Sequence, residues 1–409
     1  MRGNFMLRAG LAVALSAIAL TPPAAAVATT SDTVQATIGG YPVWAHFNDP
    51  YASGAKGADN TIHLELERLI NNAPAGSTIR GTIHSLSVDG PANALKAAQD
   101  RGVNVSIVID GKNEASTDSG VAKLKELTNH KFCTYGTGRA CISTSADGDM
   151  HTKMFTFSAT KDPNGVDRTN VSWFGSANLT YTTGPNSFNN TITVYGDTAL
   201  MNGLNTNFTD MWNRKHYTGN DYYDAASGRG YYQATAADAY ASPEAPGQTD
   251  TIVTRLNDAT PDANCQMRIG MAFITAGRPG ITSLVKRFAA AGCRIWIVAG
   301  STEAGGINVT ESVYDDLIGA GVKIHRMSDV HDKFFAVYAK YGSAYEYRVY
   351  TGSQNWSQDA LSENEEIFVK MAPESGTTHP LYNGFYNHFN DAYNSTFGTA
   401  CTASNYPCA

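Results

Sequence analysis

Two histidine–lysine pairs recur in this chain with the same companions. His151-Thr152-Lys153 is followed by Gly175-Ser176-Ala177-Asn178, and His331-Asp332-Lys333 by Gly352-Ser353-Gln354-Asn355. On a strand, residues i and i+2 point to the same face, so each histidine is expected to share a face with its lysine. The segments that follow, Met154-Phe155-Thr156-Phe157 and Phe334-Phe335-Ala336-Val337, are mostly aromatic or β-branched and predict strands. These residue types suit phosphodiester cleavage. One imidazole attacks phosphorus and a second protonates the leaving oxygen. The ammonium groups of Lys153 and Lys333 balance charge on the phosphoryl oxygens. Ser176, Asn178, Ser353 and Asn355 are expected to add neutral donors to the substrate. Neither half supplies both nucleophile and acid, so the duplication predicts one shared site. This set of residues requires no metal or cofactor.

The elements around the motifs are also written twice. Each half opens with a short strand ending near proline, residues 43–47 before Pro50 and 239–241 before Pro243. A helix follows over 62–72 or 251–259, then a strand over 78–85 or 267–274. Next comes an amphipathic helix over 92–101 or 281–291, and an apolar strand over 103–109 or 294–298. Gly102 and Gly292 stand where a helix stops in a left-handed residue. Strands alternating with helices, the strands nearly continuous in apolar residues, imply α/β sheets covered on both faces. The expected architecture is a pair of pseudo-symmetric α/β/α sandwich halves meeting at the active site. Catalytic groups must be held to within about 0.5 Å, so the halves should form one rigid unit. The divisions read from the sequence are a leader over 1–28, a first half over 29–225, a join over 226–250 and a second half over 251–409.

The leader has Arg2 and Arg8 ahead of an apolar run over 9–20, and a small-residue cleavage site near Ala24-Ala25-Ala26 or Ala26-Val27-Ala28. That is the form of a secretory signal, too short to span a membrane, so the mature protein is expected outside the cell. Net charge is −7, and −9 without Arg2 and Arg8, the only charged residues of the leader. An acidic protein is not steered toward polyanions by its overall field, which disfavours nucleic acid as the main partner. Six cysteines fit an oxidising compartment. Their spacing predicts three local disulfides, Cys133–Cys141, Cys265–Cys293 and Cys401–Cys408. In the second, both cysteines stand at the starts of expected parallel neighbours. No cysteine or histidine spacing matches a zinc site.

The paired motifs resemble those of the phospholipase D superfamily, and the chain is most similar to its secreted actinobacterial type. The family pattern is His-x-Lys-x4-Asp followed by Gly-Ser-x-Asn, in both halves. Here Ser158 and Tyr338 stand where the family has Asp, a loss shared with branches such as tyrosyl-DNA phosphodiesterases. The resemblance implies mixed sheets, a covalent phosphohistidine on His151 and a general acid at His331. It also implies an acid or amide about a dozen positions beyond each Gly-Ser-x-Asn, orienting a histidine. Asn189-Asn190 and Asn364-Glu365-Glu366 occupy those places; Asn190, Glu365 and Glu366 are taken as the supporting residues. An amide in one half and an acid in the other should give the two histidines different basicities. The implied activity is hydrolysis or transfer of phospholipid headgroups, with transient contact to a membrane surface and no obligate protein partner. An extracellular nuclease and an inactive phosphate-binding module are the alternatives. Among the other histidines only His84, ending a core strand where ligands often bind, stands out. The aromatics Tyr222, Tyr223, Tyr231, Tyr232, Tyr382, Phe385 and Tyr386 read as loop residues, serving the packing of the join or an interfacial lip.

Overall fold

The computed structural model describes residues 32–245, 247–301, 310–395 and 399–401. The leader lies outside them, and so does Cys408, the expected partner of Cys401. The first half begins with β1 (Thr33–Ile38), β2 (Tyr41–Asn48), α1 (Thr61–Asn71), β3 (Thr78–Ile83) and α2 (Gly90–Asp100). It continues with β4 (Asn104–Ile109), α3 (Ser119–Leu124), β5 (Asn129–Phe132), β6 (Met154–Lys161), β7 (Asp167–Gly175), β8 (Asn189–Tyr195) and α4 (Thr198–Trp212). Next are β9 (Tyr231–Tyr232), β10 (Ala237–Ala241), α5 (Thr251–Leu256), β11 (Ala259–Thr260), β12 (Gln266–Met271), α6 (Pro279–Ala290) and β13 (Arg294–Gly300). The chain then forms α7 (Glu311–Gly319), β14 (Lys323–Met327), β15 (Lys333–Tyr341) and β16 (Ala344–Gly352). It ends with α8 (Gln358–Ser362), β17 (Ile367–Met371), α9 (Pro380–Tyr393) and β18 (Thr399–Cys401).

The repeat is visible in the strand orders. The first sheet runs β1-β2-β8-β7-β6-β3-β4-β5, and the second β9-β10-β17-β16-β15-β12-β13-β14-β18, with β11 against β15. Both are mixed. β3, β4 and β5 are parallel neighbours, as are β12, β13 and β14, while β6 and β15 run antiparallel to β3 and β12. The segment read as a join, with its expected strand at 239–241, carries β9 and β10, and β10 pairs with β17. It is therefore built into the second sheet.

Helix patterning explains the layers. In α1, Ile62, Leu66, Leu69 and Ile70 fall on one buried stripe, and they pack with residues of α2, β3 and β4 in one outer core. Helices α5, α6 and α7 form the matching outer core of the second sheet. Between the sheets lies a third core with residues of both halves, including Phe47, Phe174, Phe188, Val298, Phe334 and Phe385. Burying each such side chain contributes roughly 1.5–3 kcal/mol, so the halves are joined by a true core. Helix α4 packs against β7 and β10, and α9 against β1, β2, β12, β13 and β16, so each terminal helix bridges both sheets. Asp197 caps α4 through the amides of Ala199 and Leu200 and also accepts from Thr235 and Ala236, tying α4 to the approach to β10.

One expectation is corrected here and one alternative is decided. Tyr382, Phe385 and Tyr386 are not in a loop; they belong to α9, with Tyr382 and Phe385 buried in the shared core. Tyr222 and Tyr232 are buried too, and Tyr223 and Tyr231 pack against the second outer core, so these rings serve packing and not an exposed lip. Cys133–Cys141 and Cys265–Cys293 are bridged. Cys265 and Cys293 immediately precede the parallel strands β12 and β13, which brings their Cα atoms to 4.6 Å.

Candidate active site

The two His-x-Lys segments stand just ahead of β6 and β15 and mostly outside them, a correction to the strand placement; only Lys333 is in a strand. Their backbones pair instead with the opposite half. The amide of His151 donates to Glu365 O and that of Glu365 to Asp149 O, both at 2.9 Å. Equivalently, His331 N donates to Phe188 O at 2.9 Å and Phe188 N to Asp329 O at 2.8 Å. Each histidine is thus fixed by the entry to the other half's strand, β17 or β8.

The side chains repeat this exchange. His151 Nδ1 lies 2.7 and 2.8 Å from the two Glu366 oxygens. His331 Nδ1 lies 2.9 Å from Asn189 Oδ1. Both acceptors call for Nδ1–H, which leaves Nε2 as the reactive nitrogen of each ring. Each lysine folds back on its own motif: Lys153 Nζ donates to His151 O, and Lys333 Nζ to His331 O, both at 2.6 Å.

The Gly-Ser steps place the orienting residues. Ser176 N donates to Asn190 O and Ser353 N to Ile367 O, each at 2.9 Å. In return Asn190 N and Ile367 N each donate to the serine hydroxyl at 3.0 Å. A Cβ at Gly175 would meet Asn190 O at 2.3 Å, and one at Gly352 would meet Ile367 O at 2.1 Å, so only glycine admits this approach. Ser176 Oγ donates to Asn189 Oδ1 at 2.9 Å, and Ser353 bonds Glu366. The serines are therefore buried behind the histidines, where they hold the orienters. They do not face the substrate cavity as expected.

Asn189, not Asn190, is the amide against His331. Asn190 sits one residue on, where its Nδ2 donates to Asp332 Oδ1 at 2.7 Å and its Oδ1 accepts from Thr351 at 2.5 Å. Counting would have separated the two, because Asn189 and Glu366 both lie 13 positions past the serine of their motif. Glu365 faces away from the histidines and accepts from the amides of Ile142 and Ser143. Asp332 also pairs with His388 at 2.8 Å, a buried ion pair under the second motif.

His151, His331, Asn178 and Asn355 line one cavity of about 650 Å³, with His84, Arg139, Asp149 and Phe273 among its other walls. A groove of similar size between α6 and α7 holds none of these groups. His84 meets His151 edge to face, with centroids 4.3 Å apart. The sequence offered no signal for Lys112 or Asp149. Lys112 Nζ bonds His84 Nε2. His84, Asp110 and Asp149 could together hold a metal ion, but the Lys112 ammonium already supplies a cation there.

Burial dominates the electrostatics. It pushes both histidines well below their usual range, and the neighbouring lysines push further in the same direction. It also drives Lys153 well down and Lys333 to about 7, against the field of Glu366. Glu366 is pushed up to about 8 by burial, opposed by Lys153. His84 is held near 3 by burial and Lys153, so it is neutral. A phosphodiester anion entering this site would reverse the trend, because it favours the charged lysines and imidazolium.

Comparison with known proteins agrees with this architecture. Residues 66–212 and 252–390 match a family described as cardiolipin synthase, PLD-like domain. No curated protein matches. Polyphosphate kinase from Porphyromonas gingivalis superposes with a TM-score of 0.56 at 12% identity, covering 88% of this chain and 49% of its own. This chain thus spans about half of that kinase. Phosphatidylserine synthase from Haemophilus influenzae Rd KW20 gives a TM-score of 0.56 at 10% identity, covering 91% of this chain and 90% of its own. Two matched segments, each contributing a histidine to one cavity, make this chain a member of the phospholipase D-like domain family, with the domain present twice.

Proposed function

We propose that this protein is an exported phosphodiesterase of the phospholipase D type, similar to the secreted actinobacterial enzymes, and that it cleaves or transfers phospholipid headgroups. The observation that carries this reading is the crossed pairing of two imidazoles at one cavity, each with Nδ1 anchored by the opposite half. His151 Nε2 attacks phosphorus, and the bond to the headgroup oxygen breaks. That oxygen takes a proton from His331 Nε2. The phosphatidyl group is then carried on His151 as a phosphohistidine. Water, or an alcohol, gives its proton to His331 and attacks phosphorus, which breaks the P–N bond. Lys153, Lys333, Asn178 and Asn355 stabilise the oxygens throughout. A proton-transfer partner is worth about 10²–10⁴-fold in rate.

A lipid substrate is supported by the family description and by one neighbour's name, which are those of phospholipid synthases. Export is supported by the leader and by two disulfides; no helix among the described residues is long and apolar enough to cross a membrane. The divisions 1–28, 29–225, 226–250 and 251–409 are proposed with it. The test is headgroup release from mixed phospholipid vesicles with EDTA and ethanol present, beside His151→Ala and His331→Ala. EDTA-resistant release with formation of phosphatidylethanol, lost in both variants, is expected. Cleavage of single-stranded DNA without lipid turnover would transfer the site to the nucleases. Phosphate binding without turnover of any diester would make it a recognition module.

A further inference from the structure

The two asparagines of the cavity wall are held differently. Both backbone groups of Asn178 are engaged: its N–H donates to Thr183 O at 3.1 Å, and its carbonyl lies 2.9 Å from His63 Nε2. Its side chain is engaged as well. Nδ2 donates to Thr183 Oγ1 at 2.8 Å, and Oδ1 lies 3.3 Å from His84 Nδ1. The other nitrogen of that ring, Nε2, meets the Lys112 ammonium. An ammonium can only donate, so Nε2 accepts and the ring proton sits on Nδ1, aimed at Asn178. Ser85 Oγ shares that proton at 3.2 Å. Asp149 Oδ2, 3.6 Å from His84 Nε2, is too far to draw the proton there, and its other oxygen is held by Arg139. Lys112, His84, Asn178 and Thr183 thus form one directional chain of donors, which fixes where the oxygen of the Asn178 amide lies. Nδ2 carries two hydrogens, and Thr183 takes one. The second half has no such chain. Trp356 N donates to Phe273 O as Leu179 N does to Ser85 O, so a phenyl ring stands at the strand end where the first half has His84 and Ser85. That ring donates nothing, and Asn355 Oδ1 has no hydrogen-bond partner among the described residues.

We propose that His84 and Lys112 are positioning residues, which lock the Asn178 amide so that it offers N–H, and not its oxygen, to the phosphoryl group on His151. This deepens the phosphodiesterase reading and rests on it. Turned over, the amide would set its oxygen against the phosphoryl oxygens and repel them. The donor chain opposes that turn, because it would bring the Asn178 NH2 group against His84 Nδ1–H, donor to donor. His84 also packs edge to face on His151, with centroids 4.3 Å apart, so the lock sits beside the attacking ring.

The test is steady-state cleavage of bis(p-nitrophenyl) phosphate by the purified protein. His84→Phe gives the first half the ring of the second. It should lower kcat by about 30-fold and change KM by less than about twofold, because a misdirected donor is missed mainly in the transition state. Lys112→Met, at an exposed position, should lower kcat by about tenfold. Lys112→Gln has no charge but still donates to Nε2, so it should restore kcat to within about twofold. A double-mutant cycle separates positioning from mere structure. In an Asn178→Ala background, His84→Phe should cost less than about twofold further, since the group it orients is gone. An equal loss in both backgrounds, a loss confined to KM, or no rescue by Lys112→Gln overturns the proposal. If His84→Phe does not fold, Lys112→Met takes its place in the cycle. If the wild type cleaves no diester, the phosphodiesterase reading fails separately, and titration with orthovanadate decides. Affinity about fivefold weaker in Lys112→Met and restored in Lys112→Gln supports the lock. Equal affinity in Lys112→Met and wild type, or no binding to the wild type, overturns it.

Discussion

His151 and His331 occupy equivalent places in two copies of one scaffold, yet their surroundings differ at each step. Behind His151 stands a carboxylate, Glu366; behind His331 stands an amide, Asn189. Between histidine and lysine the first motif has Thr152, whose hydroxyl donates to Glu365 O, and the second has Asp332, paired with His388. The backbone frame is kept and the electrostatics are not. A carboxylate stabilises a positive imidazole, as needed once it carries a phosphoryl group, whereas an amide orients the ring without that charge. The difference supports the covalent role proposed for His151 and the proton transfer proposed for His331, whose amide partner leaves its imidazolium free to give up a proton.

The sharpest way to break that comparison is to remove each ring. His151→Ala should lose at least about 10³-fold for every substrate, since the nucleophile is gone. His331→Ala should lose as much for a lipid, whose leaving alkoxide needs a proton, but far less for bis(p-nitrophenyl) phosphate, whose leaving group does not. Intact-mass measurement after a quench should find the adduct on His151. An adduct on His331, or identical leaving-group sensitivity in both variants, reverses the assignment. Exchanging the orienters is the next largest perturbation. Glu366→Gln should cost about 10–100-fold, and Asn189→Asp should slow lipid cleavage by making His331 hold its proton. Equal rates for wild type and Glu366→Gln would show that the carboxylate is only a spacer.

The lysines sharpen the comparison through pH. Lys333, near 7, is charged below that value and neutral above it. The affinity for dimethyl phosphate, whose own charge is constant, should therefore fall as pH rises past about 7, by up to about tenfold per unit. Lys333→Arg keeps its charge over this range, so its affinity should stay flat up to at least pH 9. A wild-type affinity that is flat from pH 6 to 9 would remove Lys333 from phosphate binding.

The extent to which this was legible depends on the kind of residue. The repeat, the catalytic strands and the pairing of Cys265 with Cys293 are local patterns, so periodicity and spacing expose them. Asn178 and Asn355 were found because the motif is short. The serines were found for the wrong contact, since nothing in Gly-Ser-x-Asn tells whether a hydroxyl points forward to substrate or back to β8 and β17. Asp149 and Glu363 come to the cavity from loops and Lys112 comes to His84 from a short 3-10 turn, and only the folded topology brings them there. Helix α9 was missed because its aromatics, Tyr382, Phe385 and Tyr386, look like turn and interface residues until its buried stripe is seen against the shared core.

The smallest effects should come from the positions where the family has Asp. Ser158 and Tyr338 lie along β6 and β15, beyond the ends that carry the histidines. Ser158 Oγ accepts the amide of Thr78, and Tyr338 packs against Tyr345 and Tyr347. Neither lines the cavity. Each half has thus replaced the family carboxylate with a different local contact, hydroxyl to backbone in one and ring stacking in the other. Ser158→Ala should lower stability by about 1 kcal/mol through the lost hydrogen bond, and Tyr338→Phe by less, because the stacking survives. Both should leave kcat/KM within about twofold, since a distant hydrogen bond contributes equally to ground and transition states. A tenfold loss in either variant, with unchanged thermal stability, would mean that these strand positions steer the histidines after all.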